Sequence, residues 1–506
     1  MKTFHLILLL FILFCNISFS QSANNFDFSP VEKEIQTALN TKEIPSIVVA
    51  VSKNGKIIYE KAFGYSDMEH KIKATVTTSY QLASVSKVFT ATGMMLLQHQ
   101  KKIDIHAPAE KYMADLKFKE VDGISSEVKV IDLLNHTSGL GTYFQLHYGD
   151  ESTKSDSFQN AFKKYGSLFH PAGQVYEYSN LGYGLLDYII EVQSGTTFSS
   201  FVEKELFNPL RLKNTFVHQS NKNNIQIAKK YDANLNVLPE IKTNTKGAGD
   251  VYSSIHDLIS FGMFHIDNND HNILSANERL LMRNYKNKNV LYPNYDESFY
   301  GFGWNIKPND HNYNIVWHEG GMMGVSSMLK LIPDEDIAIA VIQNVYNPTF
   351  CQKITNMLSK IVLPEYHPAP INPVADYTSY TSNPSYFGKW KGDIKIDALS
   401  IPCTLTFKDN GDIIMDYLDY TYQSYFTQNN PIPNKTFLAM GLVNKNSFLG
   451  MYPGDLPSED IRHEFSQFLS LKLIKEGNIL SGIVVALAAS EREYYAYPYY
   501  IKFQKE

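Results

Sequence analysis

The chain has 506 residues, 44% of them hydrophobic and 19% charged, which is enough apolar material for a large core and about two domains. Its net charge of -6 comes without basic clusters, which removes the electrostatic reason to invoke a nucleic-acid partner. Three cysteines with no paired C-x-x-C, and no P-loop, leave no zinc-ribbon or nucleotide signature, so neither a metal nor a nucleotide cofactor is expected.

The N-terminus carries Lys2, an apolar run from Leu6 to Phe14, and Ser18-Phe19-Ser20 as a small-x-small cleavage site before Gln21. Residues 1–20 therefore read as an export signal, and the mature protein is expected to be secreted or periplasmic. Phe14 before Cys15 is too bulky for a typical lipobox, and no other run is long and apolar enough to span a bilayer. Removal of the signal leaves Cys351 and Cys403, either a disulfide pair or two free buried thiols. Further on, Ser46 to Tyr59 places apolar residues around Asn54-Gly55, which predicts a β-hairpin.

Ser84-Val85-Ser86-Lys87 opens a stretch from Val85 to Leu97 with almost no polar face, which predicts a buried helix. Ser84 would stand at its N-terminus, where unpaired N–H groups and the helix dipole favour an oxyanion. Lys87, three residues on, shares the Ser84 face, and loss of hydration there pushes its pKa down so that a neutral amine accepts a proton. Ser126 with Lys129 and Ser327 with Lys330 repeat the spacing, but in a polar loop and a strand-like run. On spacing alone the pattern also fits an N-cap serine with a snorkelling lysine.

The stretch from about Ala107 to Asn284 is predicted to be mostly helical and loop-rich. Within it Tyr178-Ser179-Asn180 follows Pro171-Ala172-Gly173 and precedes a predicted helix from Leu181 to Val192 that stops at Ser194-Gly195. The Tyr178 phenol would face a cleft from that turn, where it can ionise or relay a proton, and Asn180 would offer an amide to a substrate carbonyl. Tyr285 with Asn287 and Tyr292 with Asn294 repeat the pattern with no helix behind them.

His318-Glu319-Gly320-Gly321 lies between a strand-like Tyr313 to Trp317 and the runs Met323 to Ile332 and Ile337 to Ile342, which predict antiparallel strands that pair with the hairpin. Gly320 and Gly321 would let a substrate approach the strand edge, with the Gly321 N–H as an oxyanion donor. A glycine bulge with a structural histidine is the rival reading. A zinc helix fails because Met322 stands where H-E-x-x-H needs its second histidine. Prolines 364, 368, 370, 373 and 384 then mark a linker, and from about Asp376 short alternating strands follow, with a hairpin at Asp409-Asn410-Gly411.

These motifs in this order, with Leu133-Leu134-Asn135-His136-Thr137-Ser138-Gly139-Leu140 and Gly301-Phe302-Gly303-Trp304 between them, resemble the serine beta-lactamase and penicillin-binding superfamily, in its class C-like branch. The resemblance implies an α+β fold over residues 21–363, an antiparallel sheet flanked by helices with a helical insertion. Beyond the linker, taken over 364–384, residues 385–506 resemble the lipocalin-like antiparallel β-barrel appended to many class C-like hydrolases, which would either cap or narrow the active cleft or only stabilise the catalytic domain, with stabilisation ranked slightly ahead. Ser84 would be the acylated nucleophile, Lys87 and Tyr178 the general acid/base pair, and Asn180 a substrate amide-binding group. The N–H groups of Ser84 and Gly321 would form the oxyanion hole, with His318 and Gly320 on the strand side.

One departure bears on substrate. Where the beta-lactamase pattern has Lys-Thr-Gly, this chain has His318-Glu319-Gly320; a histidine is only partly charged near neutrality, and Glu319 repels a carboxylate. The expected function is a secreted serine hydrolase acting through an acyl-enzyme on a neutral or amine-bearing ester, amide or peptide, at most a weak beta-lactamase. The alternative is a catalytically silent penicillin-binding-like protein that holds cell-wall or peptide fragments; retention of Ser84, Lys87 and Tyr178 together argues against it.

Overall fold

Ile47 to Val51 and Ile337 to Gln343 are buried runs with no solvent face, and such runs settle where helices cover both sides of a sheet. In the computed structural model they are adjacent central strands, Val48 opposite Ile342, of an eight-stranded antiparallel sheet. The structure describes residues 26–148, 157–218, 225–285, 290–291, 298–368, 383–396, 399–410, 413–417, 437–438, 440–443, 446–454, 456, 460, 466, 468–489 and 494–506. The expected export signal at 1–20, positions 369–382 of the expected linker, Asn287, Tyr292, Asn294 and Gly411 lie outside them.

The hairpin forms where its turn residues demand. Strands Ser46–Lys53 and Lys56–Asp67 meet at Asn54 and Gly55, whose φ values of 52° and 66° are the left-handed pair of a two-residue turn. On one face of the sheet, helices Ser29–Asn40 and Pro348–Val362 bury Val31, Ile35, Ile354 and Leu358. On the other lie helices Ser86–His99 and Ile255–Ile266, joined by Phe89 stacked on Phe261 with centroids 3.9 Å apart. Ser86 to Leu97 are all buried, as the absence of a polar face predicts.

Strand Tyr313–Met322 positions the site. Its first half pairs with strand Asn305–Asp310 as far as Asn305 opposite Trp317, and its residues 316–322 pair with strand Val325–Ile332. Among the described strands, none pairs with residues 318–322 on the Asn305 side, so that edge stays open beside the Ser84 turn.

The C-terminal strands, from Gly388–Ile396 to Tyr494–Lys505, form a curled antiparallel sheet. The hairpin expected at 409–411 joins Leu399–Phe407 to Ile413–Tyr417. The described strands give the expected barrel as a curled half-barrel, and no described strand pair closes it. Instead strand Tyr494–Lys505 continues its ladder onto Phe144–Tyr148 and Ile241–Thr243 of the first module, making eleven strands in all. A strand edge presents unpaired N–H and C=O groups, and here the neighbouring module satisfies them. Cys351 and Cys403 are buried, unpaired and in different modules. Among the described residues no helix is long and apolar enough to cross a membrane.

Candidate active site

Ser84 sits in a 3-10 turn, Ala83–Val85, that feeds directly into helix Ser86–His99. Ala83 has a φ of 46°, a left-handed conformation that costs a non-glycine residue about 1–2 kcal/mol, so the turn needs fastening. Three contacts supply it: Leu82 N donates to Val251 O at 2.8 Å, Ser327 Oγ to Leu82 O at 2.6 Å, and Val251 N to Ser86 Oγ at 3.0 Å. Ser327 of the second S-x-x-K match is thereby a structural hydroxyl.

Lys87 is wholly buried, with Nζ 3.1 Å from Ser84 Oγ and donating to Ala248 O at 2.8 Å. Burial holds its pKa well below the ordinary lysine value, and the Glu319 carboxylate works weakly against that. The Ala248 carbonyl belongs to a short turn, Lys246–Gly249, fixed from three sides. Gly247 N donates to Asp187 at 2.6 Å, Thr90 Oγ1 to Gly247 O at 2.8 Å, and Gln81 Nε2 to Gly249 O at 3.1 Å.

Tyr178 precedes helix Asn180–Ser194, which Ser179 caps by accepting from Gly182 N and which ends at Gly195 in the left-handed conformation. Its phenol hydrogen-bonds to Ser84, and its ring faces Lys87 Nζ at 4.7 Å from the centroid. Burial raises the phenol pKa, against the lowering effect of the Ser84 hydrogen bond, so Tyr178 rests protonated. Behind the ring stands buried His136, 4.4 Å away between centroids, whose Nδ1 accepts from Ser179 N at 3.1 Å. Thr142 Oγ1 braces the same segment, donating to Tyr178 O at 2.6 Å and to Glu177 at 2.9 Å.

On the strand, His318 is 2% exposed, with Nε2 2.9 Å from Tyr300 Oη and Nδ1 2.6 Å from Glu319 O. Burial, with the Lys87 charge second, pushes its pKa down to about 3. His318 is thus neutral throughout the physiological range, which corrects the expectation of a partly charged ring. Glu319 faces a cavity of about 390 Å³ that Ser84, Tyr178, His318 and Gly321 also line, and it accepts from Asn305 Nδ2 at 3.2 Å. Gly321 and Asn180 line a second cavity, of about 210 Å³, which shares Ser84, Tyr178 and Gly321 with the first.

Gly320 lines neither cavity. A Cβ there would lie 2.1 Å from Leu82 O and 2.3 Å from Ser327 Oγ, so its missing side chain lets the strand close on the nucleophile turn rather than admit a substrate. The C-terminal sheet, for which stabilisation ranked slightly ahead of narrowing the cleft, supplies Tyr494 to the smaller cavity and Leu449 and Lys472 to the larger. Lys472 Nζ pairs with buried Glu177 at 2.7 Å. Ala248, Lys472 and Tyr494 carry no motif-level signal; His136 lies inside the Leu133 to Leu140 stretch and Tyr300 directly precedes Gly301 to Trp304, but the sequence assigned neither a role.

A family model described as Beta-lactamase matches residues 31–362. The chain is similar to Protein flp of Staphylococcus aureus (strain N315), 24% identical over 336 residues, a match that covers 65% of this chain and 65% of that one. The chain thus spans just under two thirds of the length of that relative. It is 26% identical over 385 residues to Penicillin-binding protein 4* of Bacillus subtilis (strain 168), covering 71% of this chain and 82% of the other. Among solved structures, the octameric penicillin-binding protein homologue from Pyrococcus abyssi superposes with a TM-score of 0.59 at 20% identity, covering 94% of this chain and 100% of that one.

Proposed function

This chain belongs to the Beta-lactamase family of serine acyl-enzyme hydrolases, and on that premise we propose that it hydrolyses neutral or amine-bearing esters or amides with Ser84 as nucleophile. The observation that carries this reading is the contact of Ser84 Oγ with Lys87 Nζ at 3.1 Å, at an amine whose pKa burial draws well below the ordinary lysine value.

Neutral Lys87 takes the Ser84 proton as Oγ bonds to the substrate carbonyl carbon, and the oxyanion turns toward the N–H groups of Ser84 and Gly321. Protonated Tyr178 gives its proton to the departing alkoxide or amine as the carbon–leaving-group bond breaks. Lys87 then returns a proton to the phenolate, so the acyl-enzyme forms with release of a neutral alcohol or amine. Water repeats the sequence in the leaving group's place, bonding to the carbonyl carbon, freeing the acid and restoring the Ser84 hydroxyl. Asn180 lines the smaller cavity together with Ser84 and Tyr178, which supports its role as the amide that holds a substrate carbonyl.

Glu319 on the cavity wall supports a preference against a free substrate carboxylate and hence against efficient beta-lactam hydrolysis. The class C-like motifs support that branch of the family, and the signal-like residues 1–20 support export to the periplasm or beyond. Labelling with a fluorophosphonate probe, read by peptide mass spectrometry, together with turnover of p-nitrophenyl butyrate, tests the reading. Ser84→Ala should abolish both with an unchanged circular-dichroism spectrum. Turnover near the wild-type level in that variant would falsify the assignment. An unlabelled wild type that still binds peptidoglycan fragments would favour the silent binding protein.

A further inference from the structure

Ser84, Tyr178 and Gly321 form the wall shared by the two cavities, so the two substituents of an attacked carbonyl enter different surroundings. The larger side carries His318, Glu319, Asn305 and Lys472. The smaller is walled mainly by Phe144, Leu146, Met322 and Tyr494, with Asn180 and three threonine hydroxyls at 142, 243 and 245 as its uncharged polar groups, and no charged side chain lines it. Deacylation needs a water where the leaving group has departed, and the side lined by Glu319 and Lys472 holds water more firmly than the side with no charged group. The leaving group therefore belongs on the polar side, and the acyl group stays in the apolar chamber.

The chamber is built across the two modules. Thr142, Phe144 and Leu146 alternate onto it while Tyr143 and Gln145 are buried behind them, the period of a strand. Tyr494 is the register partner of Leu146, and its ring stacks on Phe144 with centroids 4.8 Å apart and planes 20° from parallel. One wall of the chamber thus belongs to the C-terminal sheet.

Resting on the serine-hydrolase reading above, we propose that this chamber is the acyl-group subsite, that it takes an uncharged apolar acyl group, and that Tyr494 limits the length of that group. A dry cavity of about 150 Å³ holds a benzene-sized molecule, so the 210 Å³ here admits about six to eight carbons. The chemistry is that of the acyl-enzyme: the acyl carbon stays bonded to Ser84 Oγ in the chamber while the protonated alcohol leaves by the polar side.

The test is kcat/KM for p-nitrophenyl esters from acetyl to dodecanoyl, and for a butyrate series with alcohols of increasing length. Wild type should peak near hexanoyl, fall at least tenfold by dodecanoyl, and turn over a monosuccinyl ester at least tenfold more slowly than a butyryl one. Tyr494→Ala should raise the dodecanoyl-to-butyryl ratio about tenfold, Tyr494→Phe should keep the wild-type profile, and Leu146→Trp, which fills the chamber, should move the optimum to acetyl. Unchanged acyl profiles in both Tyr494→Ala and Leu146→Trp, with esters still hydrolysed, would overturn the subsite alone. A response confined to the alcohol series would overturn it equally. Absence of both turnover and fluorophosphonate labelling in wild type would instead overturn the hydrolase reading and the subsite with it.

Discussion

Glu319 stands on the wall of the larger cavity and reaches Lys87 electrostatically, so it faces the reacting groups rather than solvent alone. A carboxylate about 4 Å from a substrate carboxylate costs roughly 1 to 4 kcal/mol between bulk water and protein-surface dielectrics. Glu319→Thr should therefore raise kcat/KM for an anionic substrate, relative to a neutral ester of similar size, by about tenfold or more; an unchanged ratio would remove the basis of the preference. His318 acts differently, through pH. The unfolded chain binds a proton there below its ordinary pKa of 6.5, whereas the folded chain binds one only near 3, so this residue's contribution to stability is lost as pH falls through that window. In His318→Gln the stability lost between about pH 7 and pH 4.5 should shrink by about 2 kcal/mol, measured by urea unfolding at both pH values. A variant that loses as much stability as wild type would show that His318 titrates normally.

Two adjacent glycines in strand Tyr313–Met322 serve different neighbours. Any Cβ at Gly320 meets Leu82 O and Ser327 Oγ at 2.1 and 2.3 Å, and backbone so close to the nucleophile turn has no room to yield. At Gly321 the nearest atom is Cε2 of exposed Tyr346 at 3.1 Å, a side chain able to move. Gly320→Ala is expected to destabilise by about 2 kcal/mol and to cut turnover by displacing Ser84, while Gly321→Ala should stay within about 1 kcal/mol of wild type in thermal unfolding. Equal losses would mean that the strand does not bear on the turn as described. The same logic of elements gives the loop before helix Asn180–Ser194 its brace, in which strand Phe468–Glu476 supplies Lys472 to Glu177 and Thr142 ties Glu177 to the Tyr178 backbone.

Across the whole molecule the apolar core runs without a break from Leu97 and Phe162 to Trp390 and Phe503. The seam is aromatic: Tyr497 stacks on Tyr165 with centroids 5.2 Å apart and meets Tyr143 at 6.2 Å. With the ladder through Phe144–Tyr148 added, the two modules share both core and backbone hydrogen bonds. They should unfold together, giving one calorimetric transition that coincides with the loss of far-ultraviolet circular dichroism and of near-ultraviolet tyrosine signal. Two resolved transitions would show that the seam is weaker than the interior of each module.

Several parts of this molecule were determined by residues close together along the chain. Asn54-Gly55 makes its turn because both positions tolerate positive φ, and Val85 to Leu97 goes inside because no polar face is left to expose. Ser84 and Lys87 meet because one helical turn separates them, and the order of the three motifs was enough to anticipate the sheet and its flanking helices. Tertiary structure alone decided the rest. The side on which Gly320 is crowded depends on Leu82, the neutrality of His318 on the whole apolar surround, and the reach of Tyr494 and Lys472 into the cleft on a ladder joining strands some 350 residues apart, as Phe144 opposite Ala496 shows (496 − 144 = 352). Turn chemistry and periodicity act within a few residues, whereas desolvation and close approach are properties of whatever packs around a group, which the chain specifies only once it has folded.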